Sequence, residues 1–266
     1  SISPPRSFGT KMREVELFQT SIPDQVWNRL EPILVEAGIK RIRNLRVRME
    51  GVLWRLRTGA PWRDLPTEIG SWSTVFSFFN RWSQKGLWKR VFEKLRGELD
   101  NEWAFIDSSY VKVHQHASGA AGTTRTEEAI GKSRGGNTSK LHTRCDAHGN
   151  PAEFLLTAGN VSDFTMADEL LEGCKAESVI ADKGYDSSKV RKSAESNGSV
   201  AVIPSRKCNH QPNPNFDEAL YRLRHLIENL FARIKHFRVI ATRYDKRARN
   251  FMSFVYLAAS MIWVKL

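Results

Sequence analysis

The chain has 266 residues, is 41% hydrophobic, and carries a net charge of +12 with a pI near 9.8. That is enough apolar content for one large core or two modest ones, and the charge makes a polyanion, nucleic acid first, the expected partner. No apolar run reaches the roughly 20 residues of a membrane span. The nearest, FMSFVYLAASMIWVKL, has 16 residues and reads as a buried C-terminal helix ending at Lys265.

Three cysteines, Cys145, Cys174 and Cys208, form an odd number without metal-ligand spacing. This points to a reducing, intracellular setting. The first eleven residues, SISPPRSFGTK, read as a disordered leader or a cloning scar, with Met12 as a candidate natural start.

Residues 12–98 form an expected all-helical DNA-binding domain rich in tryptophan. A first helix starts near Pro23, with Ser21 as candidate N-cap. Three later segments match the i, i+3, i+4, i+7 pattern: Met49/Val52/Leu53/Leu56, Val75/Phe78/Phe79/Trp82 and Trp88/Val91/Phe92/Leu95. Gly59, Pro61, Pro66 and Gly70 break the stretch between the first two, and a short helix with a turn at Gly70 there would resemble a helix-turn-helix. KRIRNLRVRMEGVLWRLRTG carries seven Lys or Arg and one acid, so Arg41, Arg43, Arg46 and Arg48 are candidate DNA contacts.

The periodicity changes after Asp100. WAFIDSSYVKVHQ alternates as a strand does, and SKLHTRCDAHGNPAEFLLTAG reads as a hairpin turning at His148-Gly149-Asn150-Pro151. A short helix in MADELLEGC, a strand in SVIADKGYD, a helix closed by Gly198 and a strand in VAVIPS follow. The glycine-rich HASGAAGTTRTEEAIGKSRGGNTSK reads as a long loop. Residues 99–266 are therefore an α/β domain with a mixed sheet.

Near its end, YRLRHLIENLFARIKHFRVI reads as one helix from Tyr221 to Ile240. Leu220, Leu223, Ile227, Leu230 and Ile234 form a core stripe, and Tyr221, Arg224, Glu228 and Lys235 a second stripe beside it. Glu228 then has two readings: an i,i+4 ion pair with Arg224, or a ligand at the rim of the core. Asp107 and Asp182 each follow an apolar strand, where an aspartate caps a turn or joins a site at the strand ends. Three carboxylates converging from two strands and a helix would repel one another unless a hard divalent cation relieved them.

These residues resemble a known family. Tyr221, two residues, Arg224, three residues, Glu228, six residues and Lys235 resemble the Y-R-E-K signature of bacterial insertion-sequence DDE transposases. FIDSSYVKVHQHASG, AIGKSRGGNTSKLH, HGNPAEFLLTAGNVSD, VIADKGYDS and LWRLRTGAPWRDLP resemble the insertion-sequence-five superfamily, and the likeness spans about residues 17–264. The resemblance implies an RNase H-like catalytic fold in which Asp107, Asp182 and Glu228 are metal ligands, with two Mg²⁺ ions expected and Mn²⁺ as a substitute. It implies that Tyr221, Arg224 and Lys235 contact DNA near the cut. It implies cleavage at terminal inverted repeats, attack of the freed 3′-OH on target DNA, a homodimer on DNA, and a bacterial cytoplasm with nucleoid association.

Other readings stay open. His114, His116, His142, Cys145 and His148 fit no standard zinc finger, and for His114 and His116, which share one strand face, DNA contact or exposure is expected. Lys183 and Tyr185 approach substrate or brace a strand end, and Asp163 is an N-cap or a supporting carboxylate. Trp54, Trp62, Trp72, Trp82 and Trp88 are expected in the core rather than as a base-stacking platform. A non-catalytic DNA-binding protein, or a nuclease without strand transfer, are the alternative functions.

Overall fold

The computed structural model describes residues 21–40, 42–206 and 212–264. The first eleven residues, Met12, Arg41, Cys208 and Lys265 lie outside them. Among the described residues, four helices come first: α1 (Asp24–Glu36), α2 (Leu45–Thr58), α3 (Trp72–Gln84) and α4 (Leu87–Leu95). Each buries the apolar stripe its sequence carries, for example Val75, Phe78, Phe79 and Trp82 on α3. Pro23, rather than Ser21, holds the N-cap position of α1, because its fixed φ already suits a helix entry. Between α2 and α3 stand only a 3₁₀ turn at Trp62–Asp64 and a turn closed by Gly70 N–H on Thr67 O at 3.0 Å.

A seven-stranded mixed sheet follows. Its strands are β1 (Trp103–Val113), β2 (Gly131–Ser133), β3 (Gly136–Cys145), β4 (Pro151–Ala158), β5 (Ser178–Ala181), β6 (Val200–Val202) and β7 (Thr242–Arg243). β1 pairs antiparallel with β3 and parallel with β5, and β5 pairs parallel with β6. β2 and β4 both pair with β3, and β7 runs beside the far end of β1.

One sheet face, with Ile106, Val179 and Ala181, packs on α5 (Ala167–Leu171) and α6 (Ser188–Ser196). The opposite face carries Phe105, Val111, Leu141 and Ile180. It packs on α8 (His225–His236) and α10 (Ala248–Val264), which follow the short α7 (Glu218–Arg222) and flank the short α9 (Arg238–Ala241). The N-terminal helices belong to this second cluster. Phe79 stacks on Phe254 of α10 at 4.3 Å between ring centroids, and Phe92 meets Tyr256 at 5.7 Å. The N-terminal helices and the sheet with its C-terminal helices thus share one apolar core. Trp82 and Trp88 lie in it, Trp62 packs against Phe76, Phe79 and Phe254, and Trp72 is exposed beneath the Arg63 guanidinium.

Two segments differ from their sequence reading. The expected single helix is broken at Leu223–Arg224 and again at Phe237, whose ψ of 107° leaves the helix. The first break is a tight turn, with Leu226 N–H on Leu223 O and Ile227 N–H on Arg224 O. The expected loop before β3 is partly structured. β2 pairs with β3, and Glu128 accepts from Ala248 N–H at 2.6 Å and from Arg247 at 2.9 Å, so it caps α10 from a distance. That contact has no local signal, since its partners are 120 residues apart.

Candidate active site

The register of β1 on β5 sets the site. Ile106 lies opposite Ala181, so the next residues along these parallel strands are Asp107 and Asp182. Phe105, Ile106, Ile180 and Ala181 are fully buried, and the chain turns polar on both strands at the same level.

Asp107 is mostly shielded, with 17% of its side chain exposed. Its Oδ1 accepts from Ser108 N–H at 2.7 Å and its Oδ2 from Arg224 Nη1 at 2.6 Å. Burial pushes its carboxyl pKa up, and the charge of Asp182 adds to that, while the Ser108 N–H and Arg224 pull it back. Asp182 Oδ1 accepts from Gly184 N–H at 2.7 Å, so it does cap its turn, and the same turn holds it beside Asp107.

Glu228 reaches this pair through Arg224. The guanidinium donates from Nη1 to Asp107 and from Nη2 to Glu228 Oε1. The i,i+4 ion pair exists, but it is one arm of a bridge. The turn at Leu223 aims the bridge at β1, because Arg224 stands just before α8 instead of inside a continuous helix. Lys235, three turns along α8, donates to Ser109 Oγ at 2.5 Å and Tyr110 O at 3.1 Å, and burial lowers its pKa. Tyr221 packs its ring against Phe216 at 5.5 Å.

Among the described residues no three His, Cys, Asp or Glu side chains converge closely enough to form a ready metal cage. The donor chemistry nevertheless fits a hard divalent cation. Asp107 and Asp182 are adjacent carboxylates, the charge of Asp182 helps to raise the Asp107 pKa, and the charge now balancing Asp107 and Glu228 is a guanidinium.

Asp163 is the residue whose part the sequence left open. Ser162 takes the N-cap position instead, and Asp163 accepts from Ser108 Oγ at 2.5 Å and pairs with Lys140 at 3.0 Å. It therefore braces the residue after Asp107 from the opposite sheet face. Alternation along β1 was the available signal, since Ser108 must point away from Asp107. Tyr185 is fully buried in the core of the other sheet face, its hydroxyl has no partner among the described residues, and burial followed by the charges of Asp163, Asp107 and Asp182 pushes its pKa well up. Lys183 is exposed.

The histidines and Cys145 occupy separate places. His114 stacks on Tyr244 at 4.5 Å, His148 faces Asp100 at 3.2 Å, and Cys145 is buried under the α8 face. His142 is fully buried beside Thr157, and burial lowers its pKa to about 4. A histidine more acidic in the fold than in the unfolded chain favours the fold above pH ~6.5 and loses that contribution as pH falls toward 4. Unfolding in denaturant at several pH values is expected to show stability dropping across that window, with His142→Gln flattening the drop.

Of the N-terminal arginines, Arg43 is exposed, while Arg46 is held by Asp24 at 2.6 Å and by Ile22 O. Arg48 lies over the Phe78 ring and lines a groove with Lys40, Arg81 and Lys85.

Residues 100–263 match the "Transposase DDE domain" family, which is more than half of the chain. The chain belongs to the DDE transposases. Residues 22–92 also match the family described as "Putative transposase of IS4/5 family". Over 133 residues the chain is 39% identical to a protein of Brucella ovis named "Putative transposase for insertion sequence element IS6501", covering 48% of this chain and 99% of that protein. A Burkholderia cepacia protein named "Putative transposase for insertion sequence element IS402" is 29% identical over 136 residues, 47% of this chain and 62% of that one. Among solved structures, a cryo-EM structure of the piggyBac transposase synaptic complex with hairpin DNA matches with a TM-score of 0.53 at 9% identity. It covers 94% of this chain and 74% of that one.

The fold of this transposase is thus RNase H-like, with a mixed sheet and a helical N-terminal region. Its activity is DNA transposition, by cleavage and strand transfer, and DDE transposase domains use divalent metal ions. No helix among the described residues is long and apolar enough to cross a membrane.

Gly184 offers a test of the Asp182 turn. A Cβ there would sit 2.7 Å from Asp182 Oδ1, forcing the carboxylate to turn. Gly184→Ala is expected to lower cleavage of a DNA substrate severalfold while changing the melting temperature little, because the displaced group is a side-chain end.

Proposed function

We propose that Asp107, Asp182 and Glu228 hold the metal ions of this transposase, that those ions are Mg²⁺, and that Tyr221, Arg224 and Lys235 grip the DNA beside the cut. The observation that carries this is the parallel register that sets Asp107 beside Asp182 with Arg224 linking Asp107 to Glu228. When bound, the cations would stabilise charge on the attacking and leaving oxygens of an in-line displacement at phosphorus.

The protein's own groups prepare that chemistry. Ser108 N–H and Gly184 N–H fix the two aspartates, Asp163 backs them, and Arg224 offsets the carboxylate charge until a phosphate offers it another partner. Lys235 stands on the same side of the sheet, suited to a neighbouring phosphate. Residues 12–98 supply recognition of terminal inverted repeats, with Arg43 and Arg48 among its DNA contacts and Arg41 and Arg46 as further candidates. Residues 99–266 supply catalysis. Two chains pair on the DNA ends, and the enzyme works in the bacterial cytoplasm at the nucleoid.

The test is cleavage of a labelled duplex carrying the element's end, with joining to a second duplex, in Mg²⁺ and in EDTA. Cutting and joining only with Mg²⁺ supports the reading. Cutting without joining would leave a nuclease, and binding without cutting a non-catalytic DNA-binding protein.

A further inference from the structure

The α8 face of the sheet accounts for Arg224 and Lys235. The other face holds a groove that the site does not use. It has a volume of about 1080 Å³ and reaches from Asp163 and Gly184, at the edge of the site, along the outer half of β1. Its floor is the sheet itself. Tyr110 lies opposite Lys140, and Lys112 opposite Thr138, so these side chains share one face, the face opposite Asp107 and Ser109.

The charge of the groove is one-sided. Lys112, Arg134 and Arg206 line it and are exposed, and among the described residues none of their side chains forms an ion pair with a carboxylate, the Arg206 backbone N–H alone donating to Asp186 Oδ2 at 2.8 Å. Among the described residues the only lining acid is Asp163, and buried Lys140 pairs with it at 3.0 Å. Arg206 is fixed in place by donating to Lys183 O and Gly184 O. The Tyr110 ring is 53% exposed and lies 4.8 Å from the Lys140 ammonium.

We propose that this groove binds the sugar-phosphate backbone of target DNA during strand transfer, with Lys112, Arg134 and Arg206 on successive phosphates and Tyr110 against the sugar or base. Charge complementarity selects a polyanion over a protein or an apolar ligand. The choice of target over transposon end follows from reaction geometry and rests on the proposed site at Asp107, Asp182 and Glu228. An in-line displacement needs the attacking 3′-OH and the leaving strand on opposite sides of the phosphorus. The end that provides the 3′-OH is held from the α8 side, by Arg224 and Lys235. The other face, where this groove begins at Asp163 and Gly184, is then the basic surface open to the strand being attacked.

Lys112→Ala/Arg134→Ala and the charge reversal Lys112→Glu/Arg134→Glu test the proposal. Both positions are exposed, and melting curves would show whether either variant remains folded. Pre-cleaved transposon ends are joined to a plasmid target across a salt series, and cleavage of uncut ends is measured in parallel. Joining is expected to fall roughly tenfold for the alanine variant at moderate salt and more for the reversal, with the salt dependence of target binding flatter by about two units of slope. End cleavage is expected to stay within about twofold of wild type. Equal losses of cleavage and joining would assign the groove to the transposon end and overturn the proposal, as would unchanged joining by a folded charge-reversed variant. Failure of the site reading looks different: cleavage would then survive loss of Asp107, whatever the groove does.

Discussion

Asp107→Asn and Asp182→Asn are each expected to lower end cleavage by at least roughly a thousandfold, the several kcal/mol that a catalytic cation supplies to a phosphoryl-transfer transition state. Neither substitution is expected to lower the melting temperature much. Burial raises the Asp107 pKa, so the fold holds this carboxylate at a cost in its charged form. By linkage, a raised carboxyl pKa means stability that is present at low pH and lost as pH rises through the folded value. Near neutral pH the neutral amide removes that cost, offset by the loss of one arm of the Arg224 bridge. A site kept for chemistry should therefore lose activity and keep its stability. Melting curves beside cleavage rates decide this, and a large drop in melting temperature would mark Asp107 as a structural residue.

Arg224 carries the second large effect, because it has two roles that pH can separate. On the proposed reading Arg224→Ala removes a guanidinium that turns from the carboxylates to phosphate, and hydrogen bonds to charged groups contribute about 1.5–3 kcal/mol, so affinity for the end should fall roughly ten- to hundredfold. It also removes the cation that pulls the Asp107 pKa back down. Asp107 must be ionised to hold a metal, so the acid limb of the cleavage profile should move to higher pH in this variant. Lys235→Ala should weaken binding and flatten its salt dependence by about one unit of slope without moving that limb. Its nearest partners are Ser109 and the Tyr110 carbonyl, not a carboxylate. An acid limb identical in Arg224→Ala and wild type would show that the bridge does not tune Asp107.

Much of this was legible in the sequence because the signals were local. The strand that carries Asp107, the strand that ends just before Asp182 and the hairpin of β3 and β4 stand where alternation and turn residues place them, although β1 runs on to Val113 and Asp107 lies inside it, not at its end. The helix-period stripes of α2, α3 and α4 are the buried faces found. What escaped was set by tertiary contact. The break before α8 has no Gly or Pro to announce it, and only its product, Arg224 aimed at β1, explains it. Glu128 in a glycine-rich stretch caps a distant helix, and Asp163, left open between a cap and a supporting carboxylate, reaches Ser108 across the sheet. The basic run leading into and along α2 looked uniform, yet Arg55 is buried and bonded to the carbonyls of Gly59 and Ala60, whereas Arg43, just before the helix, is exposed. Local sequence gives charge, and packing decides which charges stay available.

The most direct test of the central claim is Glu228→Gln, assayed for end binding and for cleavage in Mg²⁺. Glu228 is 56% exposed and its visible partner is Arg224, so a purely structural ion pair and a metal ligand make opposite forecasts. The account predicts that Glu228→Gln binds the end at least as tightly as wild type, since a negative charge near phosphate is gone, and does not cleave it. Cleavage at the wild-type rate would contradict the account and reduce Glu228 to the surface ion pair it also forms.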